Sequence, residues 1–589
     1  MSKWVLSLSE IDKDKLGQLS LIHVNQGVRL YAEDGSSVTK TSFGFYILSG
    51  YILPRYEENL NYSNTQDLIE HLWTLHGSDW KHHVKGFYNL VACFDSQWWV
   101  LNDTLGLSKV YWSQRTGQVS NSFNCLTNLA PELAWNPSAL LSREYFHRDI
   151  GEITIVNGIK KSRTGIQIAC KNAQLEQEYY FNCYALRQQP IHIATVPEDF
   201  IGIWESVING MEKVVPNANH IITITGGKDA RTGLALLKYF KRQVVGLTYG
   251  VPNSKDATFA RRLAVKANIE HVIPVLPTAT EAWTAEVASC IEVDSSYISP
   301  HRALRNHALK AAIGNELSWY WGGYMGGEWL MGLYPDGLVF PKWLTDLELG
   351  KSLSEVVFND HVEHSEYREL EAEVERIQKQ VNKAKSRKEL EFIWMFEMGV
   401  LHHGQDLNLA FHAGANPYPF MMDIDFIEKL FQTRYSFFFQ DHASKNLLKR
   451  WKLYEWNIRI QQKLMPGWGN IPFGKKGEYT SNVFLMGSVF WAIYKAGHYI
   501  FEKKNYPSSF SYTEEWRAMY LDFFHRMESQ VIPFYSNADI QNLKKQLEDG
   551  PLPKVEKSWM AFSRLVMVYL QSNNILRLRN AAQDSHPEK

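Results

Sequence analysis

The sequence predicts an α/β protein with a strand-rich first part and a parallel sheet in its middle part. Residues 43–112 hold several apolar runs separated by turn signals, with one amphipathic helix among them, which indicates a mixed α+β unit. Residues 221–276 alternate strand, helix, strand, helix and strand, a spacing typical of a parallel sheet with right-handed crossovers. The aromatic-rich tail, residues 481–589, is expected to be helical.

The strands and the helix of the first part are predicted from hydrophobic periodicity and from the turn residues between them. Phe43–Leu53 is a strand followed by proline, and Thr65–His76 has apolar residues at helical spacing. Phe87–Asp95 and Trp98–Asp103 are two further strands, and Lys109 opens a fourth.

Composition limits the possible partners. The chain has 589 residues and a formal charge of −1, so no overall field attracts nucleic acid or an anionic membrane. Hydrophobic residues make up 45% and aromatic residues 13%, which argues for packed cores and against disorder. The five cysteines are scattered without CxxC spacing, which favours a reducing compartment over disulfides or zinc. No apolar run is long enough for a membrane span, and we expect a cytoplasmic protein.

The most informative stretch is the first predicted turn of the middle part. The β-branched run Ile221–Ile224 ends at Thr225-Gly226-Gly227, and an amphipathic helix follows at once. Glycines allow close approach of a bulky group, and the N–H groups that open a helix suit an anion. Asp229 could hold the magnesium that accompanies a polyphosphate. The alternative is an ordinary strand-to-helix turn in which the glycines only relieve strain.

A second glycine loop follows the strand predicted near Trp319–Trp321. It reads Gly322-Gly323-Tyr324-Met325-Gly326-Gly327-Glu328. A strand that runs into four glycines again exposes backbone. The neighbouring tryptophans are interpreted as core residues.

These segments, in this order, resemble the asparagine synthetase family. Thr225–Ala230 is similar to its SGGxDS pyrophosphate loop, with Ala230 in place of the second serine. The second loop corresponds to SGxGxDE, with Gly327 in place of the metal-binding aspartate and Glu328 as the retained acid. Tyr324 occupies the position at which β-lactam synthetase and its carbapenam relative have tyrosine. Residues 416–428, 445–450 and 471–479 resemble later segments of the family.

The first part resembles the class II glutamine amidotransferase domain that precedes the synthetase domain in this family. The resemblance lies in Gly86-Phe87, Asp95, Asp103 and Gly106, and it implies an α+β amidotransferase-like sandwich. That domain uses an N-terminal cysteine as nucleophile. Here the second residue is Ser2, a much poorer nucleophile at neutral pH, so we expect a degenerate domain without glutaminase activity. Its expected role is structural or partner-binding.

The resemblance implies three regions: a degenerate amidotransferase-like domain over 1–190, an ATP-pyrophosphatase domain over 195–480, and a helical extension of it over 481–589. It implies ATP and Mg²⁺ as cofactors, with Asp229 and Glu328 as metal ligands. The expected ATP- and pyrophosphate-binding residues are Ile224, Thr225, Gly226, Gly227, Lys228, Asp229, Leu247 and Gly323, where Ile224 and Leu247 could line an adenine slot.

The implied reaction forms an amide bond through an acyl-adenylate and releases AMP and pyrophosphate. Tyr324 is the candidate general base, with Glu397 as its carboxylate partner, and Lys476 would stabilise the oxyanion, Lys475 being one place away. Without a glutaminase, the amine comes from elsewhere. A lasso-peptide cyclase or a β-lactam synthetase-like cyclase is expected, acting on a carboxylate substrate such as a precursor peptide, with a leader-processing protein as possible partner. The alternatives are an ammonia-dependent amidating enzyme and a catalytically inactive scaffold.

Overall fold

The computed structural model describes most of residues 3–275, 300–332, 350–440 and 452–471, and shorter stretches elsewhere up to residue 576, with brief gaps inside these ranges. Seventeen strands are described. They are β1 Trp4–Ser7, β2 Leu19–Asn25, β3 Val28–Glu33, β4 Thr39–Thr41, β5 Gly44–Pro54, β6 Val84–Phe94, β7 Gln97–Asn102, β8 Tyr111–Ser113, β9 Gln118–Ser120, β10 Lys160–Lys161, β11 Ile166–Lys171, β12 Gln174–Tyr179, β13 Asn219–Thr223, β14 Val244–Leu247, β15 Glu270–Val272, β16 Ser318–Trp321 and β17 Ala415–Tyr418.

The α-helices of the described residues follow the same numbering. They are α1 Thr65–His76, α2 Phe123–Leu129, α3 Pro137–Phe146, α4 Ile201–Val214, α5 Lys228–Tyr239, α6 Lys255–Ala267, α7 Pro300–Ile313, α8 Gly326–Met331, α9 Leu353–Phe358, α10 Arg368–Val381, α11 Arg387–Trp394, α12 Val400–His412, α13 Ile424–Phe431, α14 Glu455–Leu464, α15 Thr513–Met527 and α16 Asn537–Asp549.

The first part is a sandwich of two antiparallel sheets, as the sequence predicts. One sheet has the order β10-β8-β9-β1-β3-β2 and the other β12-β11-β7-β6-β5-β4. Apolar side chains of both sheets, among them Trp4, Leu30, Val91 and Val100, form one core between them. The outer face of the second sheet is covered by α1 through Leu68 and its apolar neighbours. Both faces of β6 are therefore buried, which explains its continuous apolar sequence.

The middle part is a five-stranded parallel sheet in the order β15-β14-β13-β16-β17. The chain adds β14 and β15 on one side of β13 and then crosses to the other side for β16. The strand order thus reverses between β13 and β16. Ligands of open α/β sheets bind in the crevice at such a switch point, beyond the carboxyl ends of the strands.

Helices cover both faces of this sheet. One core contains Ile222 of β13 and Leu234 of α5, and the other contains Ile221 with residues of α7, α12 and α15. From the sequence, Asp256 is expected to cap α6. That expectation is wrong, because the Ser254 hydroxyl accepts the Ala257 N–H and Asp256 lies in the first turn instead. Serine directly before a helix is an equally good cap, so spacing alone did not separate the two positions.

The sandwich and the parallel sheet are held together by a buried ion cluster. The ammonium of Lys85 on β6 lies 2.9 Å from Asp423 and 2.6 Å from Asp425 at the start of α13. Arg55, just after β5, contacts Asp425 and Glu428 of the same helix. A cation taken out of water needs such partners, so these pairs fix how the two parts meet.

Candidate functional site

The first glycine turn lies at the carboxyl end of β13, as predicted. The Thr225 hydroxyl accepts the Gly227 N–H at 3.0 Å, which closes the turn, and α5 begins at Lys228 without a side-chain cap at Gly227. Ile224 and Leu247 are almost fully buried, and their side chains belong to cores on different faces of the sheet. A nucleotide at this edge would therefore meet their backbone and not an open slot between the two side chains.

The second glycine loop packs directly on the first. A Cβ atom added to Gly323 would lie 3.1 Å from the Cβ of Asp229, and one added to Gly326 would lie 2.7 Å from the Asp229 carboxyl carbon. A side chain at Gly326 would force a shift, because real Cβ atoms do not approach so closely, and one at Gly323 would require its neighbours to give by a few tenths of an ångström. Met325, between them, has a left-handed backbone with φ of 63° and precedes α8. The two loops that the sequence separates by about a hundred residues therefore meet at Asp229.

The two predicted metal ligands share this place. The carboxylate of Asp229 accepts the backbone N–H of Gly327, and burial raises its pKa. Burial also raises the pKa of Glu328 to about 7, and the charge of Asp229 adds to the rise. Both residues are partly exposed, so they are not sealed inside the protein. Paired carboxylates whose ionisation is disfavoured are a fitting donor set for a hard divalent cation, which would favour the ionised forms.

Gly327 leaves room for a larger side chain beside Asp229. An added Cβ there would have only ordinary contacts, 3.5 Å to the Met331 methyl group and 4.0 Å to the Asp229 carboxylate. The site thus keeps Asp229 and Glu328 and has space where a third acid could stand.

Helix α14 contacts the first glycine turn and the start of α5. The Gln461 side chain donates to the Lys228 carbonyl at 3.0 Å and to the Thr232 hydroxyl at 2.9 Å. The Lys228 ammonium lies 4.0 Å from the centre of the Tyr454 ring. Asn457 of α14 reaches Asp229 at 3.5 Å. The opening of α5 is therefore held from two sides, by α14 and by the second glycine loop.

Tyr324 lies in a cluster of phenols with one ion pair. Its hydroxyl is 2.9 Å from that of Tyr320. Arg305 of α7 donates to Asp406 of α12 at 3.0 Å and lies over the ring of Tyr249. Burial raises the pKa of Tyr324 well above its usual value, so the hydroxyl stays protonated and can only pass a proton on.

The contacts of Glu397 are with residues other than Tyr324, its expected partner. Burial raises and the charge of Arg376 lowers the pKa of Glu397, and the lowering wins, because Arg376 donates to its carboxylate and the Tyr184 hydroxyl also contacts it. The carboxylate whose charge acts on Tyr324 is that of Asp406. Spacing could not find Asp406, because it lies on a helix far along the chain and Arg305 brings it to the phenols.

Glu397 lines a cavity whose lining does not include Tyr324. It lies on a π-helical turn, Met395–Gly399, between α11 and α12. The turn faces a cavity of about 420 Å³ that Arg163, Tyr184 and Arg376 also line. The cavity opens between the end of the sandwich part and the helices after the parallel sheet.

Two predicted residues lie outside the described part of the chain. They are Lys476, with its neighbour Lys475, and Ser2. Their roles stay predictions. Among the described residues, none of the helices has the length and apolarity that a membrane span requires.

Comparison with known proteins adds little to this picture. No family model and no curated protein sequence matches the chain. Solved structures that match include a glutamine phosphoribosylpyrophosphate amidotransferase from B. subtilis complexed with ADP and GMP, at 10% identity over 55% of this chain and 75% of that one, with a TM-score of 0.21. Another is described as the allosteric regulatory enzyme of purine biosynthesis, at 10% identity over 55% and 74%, also with a TM-score of 0.21. At this identity and TM-score, the likeness does not define the chemistry of this chain.

Proposed function

We propose that this chain is an ATP-dependent amide ligase that activates a carboxylate as an acyl-adenylate, with release of pyrophosphate. The observation that supports the proposal most is the position of Asp229. It lies between two glycine loops at the switch point of a parallel sheet, with Glu328 beside it. Backbone N–H groups, an uncapped helix start and paired carboxylates are what a magnesium-bound polyphosphate requires.

In the first step, formation of the acyl-adenylate, the residues of the crevice would have separate roles. Asp229 and Glu328 would hold Mg²⁺, which neutralises the charge of the leaving pyrophosphate when bound. The N–H groups from Gly226 onward, at the start of α5, would bind the pyrophosphate oxygens. The tight contact of Gly323 with Asp229 keeps the acid fixed during the reaction. The predicted role of Lys476 at the oxyanion remains part of the proposal.

The second step needs a neutral amine at the adenylate. Tyr324 would take the amine proton as it passes its own proton along the 2.9 Å contact to Tyr320, and the Asp406 carboxylate, whose charge acts on both phenols, would be the final proton acceptor. The ion pair of Arg305 with Asp406 borders this path and balances its charge. Because the raised pKa of Tyr324 keeps its hydroxyl protonated, no phenolate is present to act as base, so a relay to a carboxylate is required.

The source of the amine is the finer part of the proposal. The expectation that glutamine is not the donor remains part of the proposal. An amine on the substrate itself would make the reaction a macrolactam or β-lactam cyclisation, with a precursor peptide as the natural substrate class. Free ammonia is the alternative donor, and the product masses distinguish them: cyclisation removes water and adds no nitrogen.

A second candidate is a non-catalytic scaffold. Gly327 and Ala230 favour it, because each removes a polar group that the related family uses. A scaffold would give no reaction in any assay that measures turnover of a nucleotide.

The test is ATP–pyrophosphate exchange with the full chain, with Mg²⁺ and a panel of amino acids and of Asp- or Glu-containing peptides. We expect carboxylate-stimulated exchange that Asp229→Asn lowers by at least about 100-fold, the scale of one lost electrostatic stabiliser. Asp34→Asn, an exposed acid of the sandwich, is the matched control and should exchange normally. Exchange that is absent throughout the panel, or equal in both variants, would reject the ligase and leave the scaffold.

A further inference from the structure

A group of two histidines and a glutamate lies away from the crevice, at the junction of α1 and the sandwich. Helix α1 ends at His76, and the 3₁₀ segment Gly77–His83 that follows ends at His83. Glu58 belongs to the turn after β5. One nitrogen of each ring and one oxygen of the carboxylate lie within 4.8 Å of one another.

The contacts inside the group leave one nitrogen unsatisfied. The Nδ1 atom of His83 is 2.5 Å from Glu58 Oε1, a short hydrogen bond. The Nε2 atom of His76 is 3.6 Å from Glu58 Oε2, is shielded from solvent and has no hydrogen-bond partner. A buried polar atom without a partner is unfavourable, and a ligand bound to His76 Nε2 would remove that penalty.

We propose that Glu58, His76 and His83 bind a divalent transition metal of the Zn²⁺ type. Two imidazoles and one carboxylate are the donor set that Zn²⁺ accepts, with a fourth position left for water. Harder ions such as Mg²⁺ prefer oxygen ligands alone, so this site and the crevice at Asp229 select different metals. All three side chains are partly exposed, which gives an ion access from solvent.

Metal binding requires one ring to move. The rings of His76 and His83 are stacked, with their centres 3.5 Å apart and their planes 7° from parallel. An ion cannot lie in the plane of two parallel rings at once, so one imidazole must turn out of the stack. With bonds of about 2.0–2.2 Å to each ligand, the three donor atoms would also draw closer together.

The position of the site gives the metal a structural consequence. The Glu58 N–H donates to the Arg55 carbonyl at 3.0 Å, and the Arg55 N–H donates to the His83 carbonyl at 2.9 Å. Arg55 in turn makes the ion pairs with Asp425 and Glu428 that join the sandwich to α13. An ion that holds Glu58 and His83 would therefore rigidify the turn that carries this contact.

The experiment uses the full chain, freed of metal by chelation and titrated with Zn²⁺ by calorimetry, with Co²⁺ as a spectroscopic probe. His76→Ala, His83→Ala and Glu58→Gln each remove one ligand. His82→Ala is the matched control, because His82 lies in the same 3₁₀ segment but outside the group. We expect one strong site in the wild type and in His82→Ala, weakened at least 10-fold in each ligand variant. Co²⁺ should give the intense visible bands of a four-coordinate site.

Thermal unfolding supplies the second readout. A ligand that binds only the folded chain raises its midpoint, so Zn²⁺ should stabilise the wild type and His82→Ala but not His76→Ala. His76→Ala deletes a nitrogen without a hydrogen bond, so it should fold without metal, and it keeps the test decisive if His83→Ala does not fold. Equal Zn²⁺ affinity in the wild type and in His76→Ala, or no strong site in the wild type, would overturn the proposal.

Discussion

The contact between Gly326 and Asp229 predicts a sharp difference between two neighbouring glycines. An alanine at 326 would place its Cβ 2.7 Å from the Asp229 carboxyl carbon and 3.0 Å from both carboxylate oxygens. Ordinary carbon contacts lie at about 3.5–4.0 Å, so the acid or the loop must move by about 1 Å. Overpacking of this kind costs about 1–3 kcal/mol of unfolding free energy. A displacement of about 1 Å in a positioned group costs about 100-fold in rate.

Gly327→Ala is the internal control. Its Cβ would have no neighbour closer than 3.5 Å, and alanine is a better helix former than glycine by about 1 kcal/mol. We expect Gly327→Ala to be neutral or slightly stabilising and to keep pyrophosphate exchange, whereas Gly326→Ala loses both stability in urea unfolding and exchange. Equal exchange in the two variants would refute the view that the second loop positions Asp229.

Three further predictions concern other parts of the site and the interface. The pKa of Glu328 is raised from 4.5 to about 7, so its proton is bound more tightly in the folded chain, and Glu328 should lower wild-type stability as pH rises from about 4.5 to 7. Glu328→Gln should lessen that fall by on the order of 3 kcal/mol in unfolding curves at several pH values. Lys85→Met leaves Asp423 buried without its cation and should cost about 3–5 kcal/mol in urea unfolding, whereas Lys40→Met, at an exposed position, should cost little. Tyr324→Phe removes the relay hydroxyl, so amide formation should fall while pyrophosphate exchange persists, and loss of both would contradict the assignment of Tyr324 to the second step.

The fold could be predicted well where the hydrophobic periodicity and the turn residues of a segment match the face that the segment buries. Thr65–His76 is the helix that its apolar spacing predicts, and the strand and turn at Ile221–Gly227 lie where the β-branched run and the glycines place them. What the sequence does not contain is the strand order. The reversal between β13 and β16 depends on contacts between residues about a hundred positions apart, and it is this reversal that creates the crevice.

Single site residues could be predicted from their neighbours in the sequence, but contacts between distant residues could not. Asp229 and Glu328 each follow a glycine turn, so each could be recognised from its own neighbours, and the structure brings them together. Glu397 and Asp406 lie nine positions apart in one helical region, and both are acids of suitable position. The two acids differ in the arginine that each one binds. Arg376 donates to Glu397 and Arg305 donates to Asp406, and no local sequence pattern reveals these pairs.

Ala230 and Gly327 replace polar residues of the family that the sequence resembles, and these replacements alone do not decide between ligase and scaffold. The residues around Gly327 favour the ligase. A scaffold without nucleotide chemistry has no reason to keep two carboxylates where burial opposes their charge, since neutral residues would pack there at lower cost. Nor would it need two loops so close that Gly326 admits no side chain. A cation between Asp229 and Glu328 accounts for both features, because it lowers the cost of the charges and needs them held at short range. On this reasoning Glu328 would be the second metal ligand that the proposed ligase requires, and Gly327 would not abolish the metal site.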